Sequence, residues 1–250
     1  AQTKETNSEY LKKHYGPWKT YESKHFKFFY RNSGKLFARK LEQKDLKEIA
    51  RAQESNIKRV ASILNIAENQ IDKLDPIKVW LFCNSKTKTE ITKIHSDAFE
   101  IHPFCSIYYT YKSAKSAHET GHLVINEFWG HLRSKKYNFL IAEGFASLVD
   151  EGYGERNFDY YKKAKYILSK DKYSMEVIIQ NKPITGFFKN PYTQKAIVAG
   201  AFVKYLIEKY DIGKFKRLWQ KLRNDSKIFK KVYNKSLDDL CLDFKSYIND

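Results

Sequence analysis

No stretch of this chain approaches the roughly twenty apolar residues that a membrane-spanning helix needs, so the sequence excludes a transmembrane segment of that kind. Cysteine is scarce as well. Cys83, Cys105 and Cys241 are the only three among 250 residues, too few for a disulfide framework, and none stands at zinc-ligand spacing. Cys83 and Cys105 sit in apolar, strand-like runs and read as buried thiols, with a single bridge left open. Internal repeats, low-complexity linkers and nucleic-acid motifs are all missing. Histidine is absent beyond position 131, where the last of the seven lies. The chain also begins Ala1-Gln2-Thr3 without an initiator methionine, a start that suits a secreted protein, a lipoprotein or a recombinant product whose leader is gone. Residues 1–20 read as a flexible polar segment.

Positive charge is plentiful. Lys and Arg number 46 against 29 Asp and Glu, a formal net charge of +17. The lysines are spread along the chain, and a lysine-rich bacterial proteome gives the same composition, so no specific nucleic-acid partner is expected. A basic surface does attract anionic substrates, cell-wall polymers or lipid headgroups over long range. The length accommodates one good core or two small domains.

The most informative residues are His118-Glu119-Thr120-Gly121-His122. On a helix, positions i and i+4 share one face a turn apart, so two imidazoles can reach one zinc ion and leave room for a third ligand and a water. Glu119 begins about a quarter turn round the same helix, within reach of the water's proton. The alternative is a pair of buried histidines bonded to backbone carbonyls. The flanks, Ala117, Leu123, Val124, Ile125 and Phe128, describe a helix buried on most sides, with Ser113 or Ser116 as its cap. Buried imidazoles need partners, and a metal satisfies two at once.

A third ligand is required. The metzincin pattern needs Gly at position 125 and His at position 128, where the chain has Ile125 and Phe128, so that branch is excluded. His131 follows Gly130, the expected helix end, and reads as a surface residue. Residues 139–150 read as a second, mostly apolar helix carrying Glu143 in its first part. A carboxylate there is costly to bury unless paired or metal-bound. Glu143 follows His122 by 21 positions, enough for a helix end, a loop and a return. Its other reading is a first-turn glutamate favoured by the helix dipole.

His118-Glu119-x-x-His122 followed by Ala142-Glu143-Gly144-Phe145-Ala146 resembles the gluzincin zinc metallopeptidases, in particular the compact peptidase-MA-like group. The likeness continues through Tyr192-Thr193-Gln194 and Ala199-Gly200-Ala201-Phe202, and more loosely through residues 236–247, so that it covers roughly residues 113–250. The resemblance implies zinc held by His118, His122 and Glu143, Glu119 as general base for a metal-activated water, and Tyr192 as a phenolic donor to the oxyanion. Tyr192 as a packing residue is the competing reading. Three departures stand out. No G-x-M-E-N-like segment holds a substrate amino terminus, which puts aminopeptidase activity in doubt. Ser147 occupies the place where thermolysin-type enzymes put an Asp, so orientation of His118 falls to Ser147, Asp150 or a backbone carbonyl. With no late histidine, a thermolysin-like imidazole donor cannot exist.

The fold class expected is α+β: an N-terminal strand-and-helix layer with a small mixed sheet (residues 21–112), then a mainly helical zinc-site half (113–250), gluzincin-like with the zinc cleft between them. Strands are expected at 25–30, 77–83 and 104–111, and an amphipathic helix at 43–65. Further helices are placed at 113–129, 139–151, 158–169, 174–180, 192–210, 212–223 and 236–248, with turns at Gly154 and 181–183. The resemblance makes residues 107–110 the strand at the cleft edge, able to hold an extended peptide backbone; an ordinary sheet strand is the alternative. The leading reading is an extracytoplasmic zinc-dependent endopeptidase acting on a peptide or protein substrate, possibly anionic or at a cell surface. A zinc carboxypeptidase, a cell-wall peptide amidase and a catalytically silent metal-binding interaction protein are the alternatives. Nothing in the sequence reads on oligomeric state.

Overall fold

The computed structural model describes residues 17–31, 41–92, 98–101, 106–150, 158–170, 174–180 and 191–249, with the side chains of 98–101 and 191–192 left aside. The expected turns at Gly154 and 181–183, Cys105 and most of the segment 1–20 lie outside the described residues. Mixed α+β architecture is what results. The described residues of 1–62 and 66–123 form one compact unit, and those of 63–65 and 124–250 form a second. No described helix is long and apolar enough to cross a membrane.

The first unit is built on a five-stranded sheet of β1 (Lys19–Glu22), β2 (Phe26–Tyr30), β3 (Ile77–Phe82), β4 (Ala98–Ile101) and β5 (Ser106–Thr110), in the order β1-β2-β3-β5-β4. The three inner strands run parallel, and β1 and β4 pair antiparallel at the two ends. The composition explains the order. β3 reads Ile-Lys-Val-Trp-Leu-Phe and β5 reads Ser-Ile-Tyr-Tyr-Thr, near-continuous apolar runs of the kind that survive burial on both faces. β1, Lys-Thr-Tyr-Glu, is exposed and polar, as an edge requires. Phe29, Trp80 and Tyr108 are direct partners across β2, β3 and β5. They make a stacked aromatic row, with centroids 4.3 Å apart between Phe29 and Trp80 and 6.4 Å between Trp80 and Tyr108.

This order corrects one expectation. β5 has β3 on one side and β4 on the other, so residues 107–110 are not the edge strand. Residues 107–109 pair with both neighbours and Thr110 with β3 alone, and among the described residues the edge belongs to β4.

Helix α1 (Gln43–Ile63) buries a stripe at Leu46, Ile49, Ala50, Gln53, Asn56, Ile57, Val60 and Ala61, the spacing of one helical face. Two members of that stripe, Gln53 and Asn56, are polar. Short α2 (Glu68–Ile71) and α3 (Ser85–Thr92) complete the connections.

Helix α4 (His118–Trp129) starts later than the sequence suggests, because residues 111–115 form turns. Ser116 supplies the expected cap, its Oγ accepting from the His118 amide at 3.2 Å. Ser113 bonds Thr110 instead. Gly130, at φ +80°, ends the helix with its amide on the Asn126 carbonyl, and His131 is exposed.

The second unit is helical around α8 (Pro191–Tyr210). Against it lie a π-helical turn, Phe139–Glu143, continuing into α5 (Gly144–Val149), and α6 (Tyr160–Leu168). Helices α7 (Met175–Ile179), α9 (Ile212–Lys221), α10 (Lys227–Tyr233) and α11 (Leu237–Tyr247) follow. A Cβ on Gly144 would stand 2.7 Å from the Ala199 carbonyl oxygen, and one on Gly200 would stand 2.8 Å from the Tyr160 ring. Glycine at these two places lets the α5 and α8 backbones approach closely.

Candidate metal centre

Each member of the centre is placed by a local cause. His118 and His122 begin α4 one turn apart on one face, their rings 4.9 Å apart and nearly perpendicular. Glu143 is the last residue of the π-helical turn, where one extra residue per turn displaces the side chains that follow, a distortion common at functional sites. Gly144, next in sequence, packs tightly on the Ala199 backbone and so ties the Glu143 turn to α8.

One ligand atom from each of His118, His122 and Glu143 lies within 4.8 Å of the other two. All three residues are half-buried. Zinc bonds of about 2.0–2.2 Å would draw tetrahedral donors to roughly 3.3 Å of one another, an inward movement under roughly 1 Å for each side chain. Two imidazole nitrogens and one carboxylate oxygen are also the donor types of an open catalytic zinc site. Geometry and chemistry therefore fit a divalent ion. They do not select the element, because imidazole and carboxylate ligands serve several first-row metals.

The other polar residues of these elements divide into those foreseen and those missed. Glu119 is buried, at 9 % exposure, beside His118 on α4. Ser147 and Asp150 are buried on α5 and at its C-terminal cap. The Ser147 carbonyl accepts the Tyr160 hydroxyl, and its own hydroxyl makes no hydrogen bond among the described residues. Tyr192 falls in the first turn of α8, and its side chain lies outside the described residues.

Sequence reasoning gave no role to Lys195, Gln53, Asn56 or Thr120. Lys195 is buried one turn before Ala199, with its ammonium 5.1 Å from the centre of the Phe139 ring, and burial lowers its pKa. Thr120 belongs to the motif but occupies a position the motif leaves free. Gln53 lies 61 positions before Ala114 and Asn56 lies 59 before Lys115, whose carbonyls they hold, and their only sequence signal is polarity inside an apolar stripe. Searches against protein-family models, curated proteins and solved structures found no match to this chain.

Proposed function

We propose that the protein is a zinc-dependent peptidase of gluzincin type, and most plainly an endopeptidase. One observation carries the reading: His118, His122 and Glu143 have their ligand atoms within 4.8 Å of one another, with a buried carboxylate, Glu119, directly after the first ligand. Iron(II) in oxygenases uses two histidines and a carboxylate as well, but that chemistry has no use for a base in the Glu119 position. The resemblance of the ligand-bearing segments to gluzincins supports hydrolysis.

Zinc held by His118, His122 and Glu143 would supply Lewis acidity at a substrate carbonyl and activate a water for attack. Glu119 takes the proton from the attacking water on a carboxylate oxygen and returns it to the leaving amine nitrogen, so that no covalent enzyme intermediate forms. Tyr192, by the same resemblance, would donate its phenolic hydrogen to the developing oxyanion. Among the described residues β4 ends its side of the sheet, and its outer edge would offer an extended peptide a row of backbone groups to pair with. A net charge of +17 favours an anionic or cell-surface peptide. Extracytoplasmic location belongs to the same proposal and rests on the resemblance alone.

Metal analysis of wild type beside Glu119→Gln, with cleavage of a peptide library by both, tests the reading. The proposal expects one zinc per chain in each protein and cleavage by wild type alone, with turnover in the variant lower by at least a hundredfold. Zinc without cleavage of any peptide would favour a metal-binding interaction protein, and release of only terminal residues would favour a carboxypeptidase. Cleavage that survives Glu119→Gln would remove Glu119 as the base.

A further inference from the structure

The helix that carries both histidine ligands is gripped from behind by a buried polar network on α1. The Gln53 side chain is fully buried, at 0 % exposure. Its Nε2 donates to the Ala114 carbonyl at 2.8 Å and to the Ser116 carbonyl at 2.9 Å. Its Oε1 accepts the Thr120 hydroxyl at 2.7 Å and, more weakly, the Asn56 amide at 3.5 Å. Asn56 Nδ2 also donates to the Lys115 carbonyl at 3.1 Å, and the Tyr109 hydroxyl donates to Ser116 O at 3.0 Å. Every donor and acceptor that Gln53 possesses is engaged.

Three consecutive carbonyls, those of residues 114, 115 and 116, are thus held just before α4 begins. They precede the helical ladder, whose early bond runs from the Gly121 amide to the Ala117 carbonyl, so side chains must satisfy them. Thr120 adds the decisive contact. It lies between the ligands, about 200° of helical rotation from each, so the hydroxyl anchored to Gln53 is on the side of α4 opposite His118 and His122. A roll of about 10° about the axis would move an atom about 6 Å from that axis by roughly 1 Å. Metal sites tolerate only a few tenths of an ångström in ligand distance.

We infer that Gln53 is a positioning residue for the metal centre, acting through the Thr120 hydroxyl and the 114–116 carbonyls to fix the rotation at which α4 presents His118 and His122. This inference rests on the metal-site reading above. A buried, fully hydrogen-bonded amide costs more to maintain than the leucine that would fill the same stripe, and the directional contacts it provides run to the ligand-bearing turn.

The test compares wild type, Thr120→Val, Thr120→Ser and Gln53→Met. Zinc affinity is measured by chelator competition, cobalt(II) loading gives a visible d–d spectrum that reports ligand geometry, and circular dichroism checks the fold. Thr120→Val keeps shape and loses the hydroxyl, so it is expected to fold, to bind zinc about tenfold more weakly and to alter the cobalt spectrum. Thr120→Ser restores the hydroxyl and should recover affinity and spectrum, which a role in packing alone would not predict. Gln53→Met should show at least the loss seen in Thr120→Val. Should Gln53→Met fail to fold, the valine–serine pair decides the matter. Wild-type affinity and spectrum in a folded Thr120→Val would overturn the positioning role and leave the metal site standing. A wild-type protein that binds neither zinc nor cobalt would overturn the metal site and this inference with it.

Discussion

Glu143 is the residue on which the metal reading depends most, because two histidines on one helical turn have other uses and a third donor of the right type does not arrive by helical spacing alone. In Glu143→Ala the remaining imidazoles would leave a zinc ion two-coordinate to protein, short of the three ligands of catalytic sites. Metal content measured after dialysis against a weak chelator should therefore fall from one zinc per chain to near zero, while far-UV circular dichroism stays unchanged. Full occupancy in that variant would return Glu143 to a dipole-favoured surface role. At this scale the sequence was informative where chemistry restricts residue type: His118, His122 and Glu143, which the structure brings together, are legible because few side chains can hold a metal at that spacing. Gln53 and Thr120 were not legible, since a hydrogen bond between residues 67 positions apart leaves no local pattern.

Among the elements, the close crossing of α5 and α8 decides where the Glu143 turn sits. The obstacle to a side chain at position 144 is backbone, the Ala199 carbonyl oxygen at 2.7 Å and its carbon at 2.9 Å, and backbone inside a helix cannot rotate away. Gly144→Ala must part the two helices. Overpacking of that kind costs about 1–3 kcal/mol, more than the gain in helix propensity of up to about 1 kcal/mol that the substitution also brings. Thermal melts should show a lower Tm for Gly144→Ala, with weaker zinc retention in the folded protein because the displaced segment carries Glu143. An unchanged Tm would mean that the crossing is slack. Long periodic helices such as α1, α8 and α11 were readable from their apolar spacing. Brief α2 and α3, the edge strands β1 and β4, and α10 escaped, because four to eight residues hold too little periodicity to rise above a loop. Sheet order escaped for a different reason: β5 is adjacent to β3 across residues 83–105, and pairing of that kind is settled by which apolar runs can both be buried, not by neighbours in sequence.

Over the whole molecule, excess positive charge makes the acid side its weak flank, and one cluster around the buried His25 concentrates that weakness. His25, only 5 % exposed just before β2, has Nδ1 at 2.6 Å from Glu54 on α1 and Nε2 at 2.9 Å from Asp72 after α2. Burial pushes the Glu54 carboxyl upward, but hydrogen bonds from the His25 amide, the Ser23 hydroxyl and the His25 ring outweigh it and hold its pKa below the usual carboxylate range. Lys24, and after it His25, hold Asp72 low as well. Both folded-state values are depressed, so the stability these carboxylates contribute is complete above their unfolded pKa values of about 4 and is lost as pH falls through the folded ones. Protonation of the 29 acidic side chains over the same range raises a net charge already at +17, which adds self-repulsion. Salt separates the two effects: repulsion among exposed charges is screened at about 0.5 M, whereas the half-buried Glu54 contacts are screened much less. Wild-type Tm should drop steeply between about pH 5 and pH 3, and added salt should recover only part of the drop. Glu54→Gln should be less stable at pH 7 by about 1–3 kcal/mol, with a shallower acid slope that salt restores more fully. If the variant and wild type lose stability in parallel from pH 5 to pH 3, the cluster contributes nothing to the pH dependence and the charge of the whole chain alone sets the acid limit.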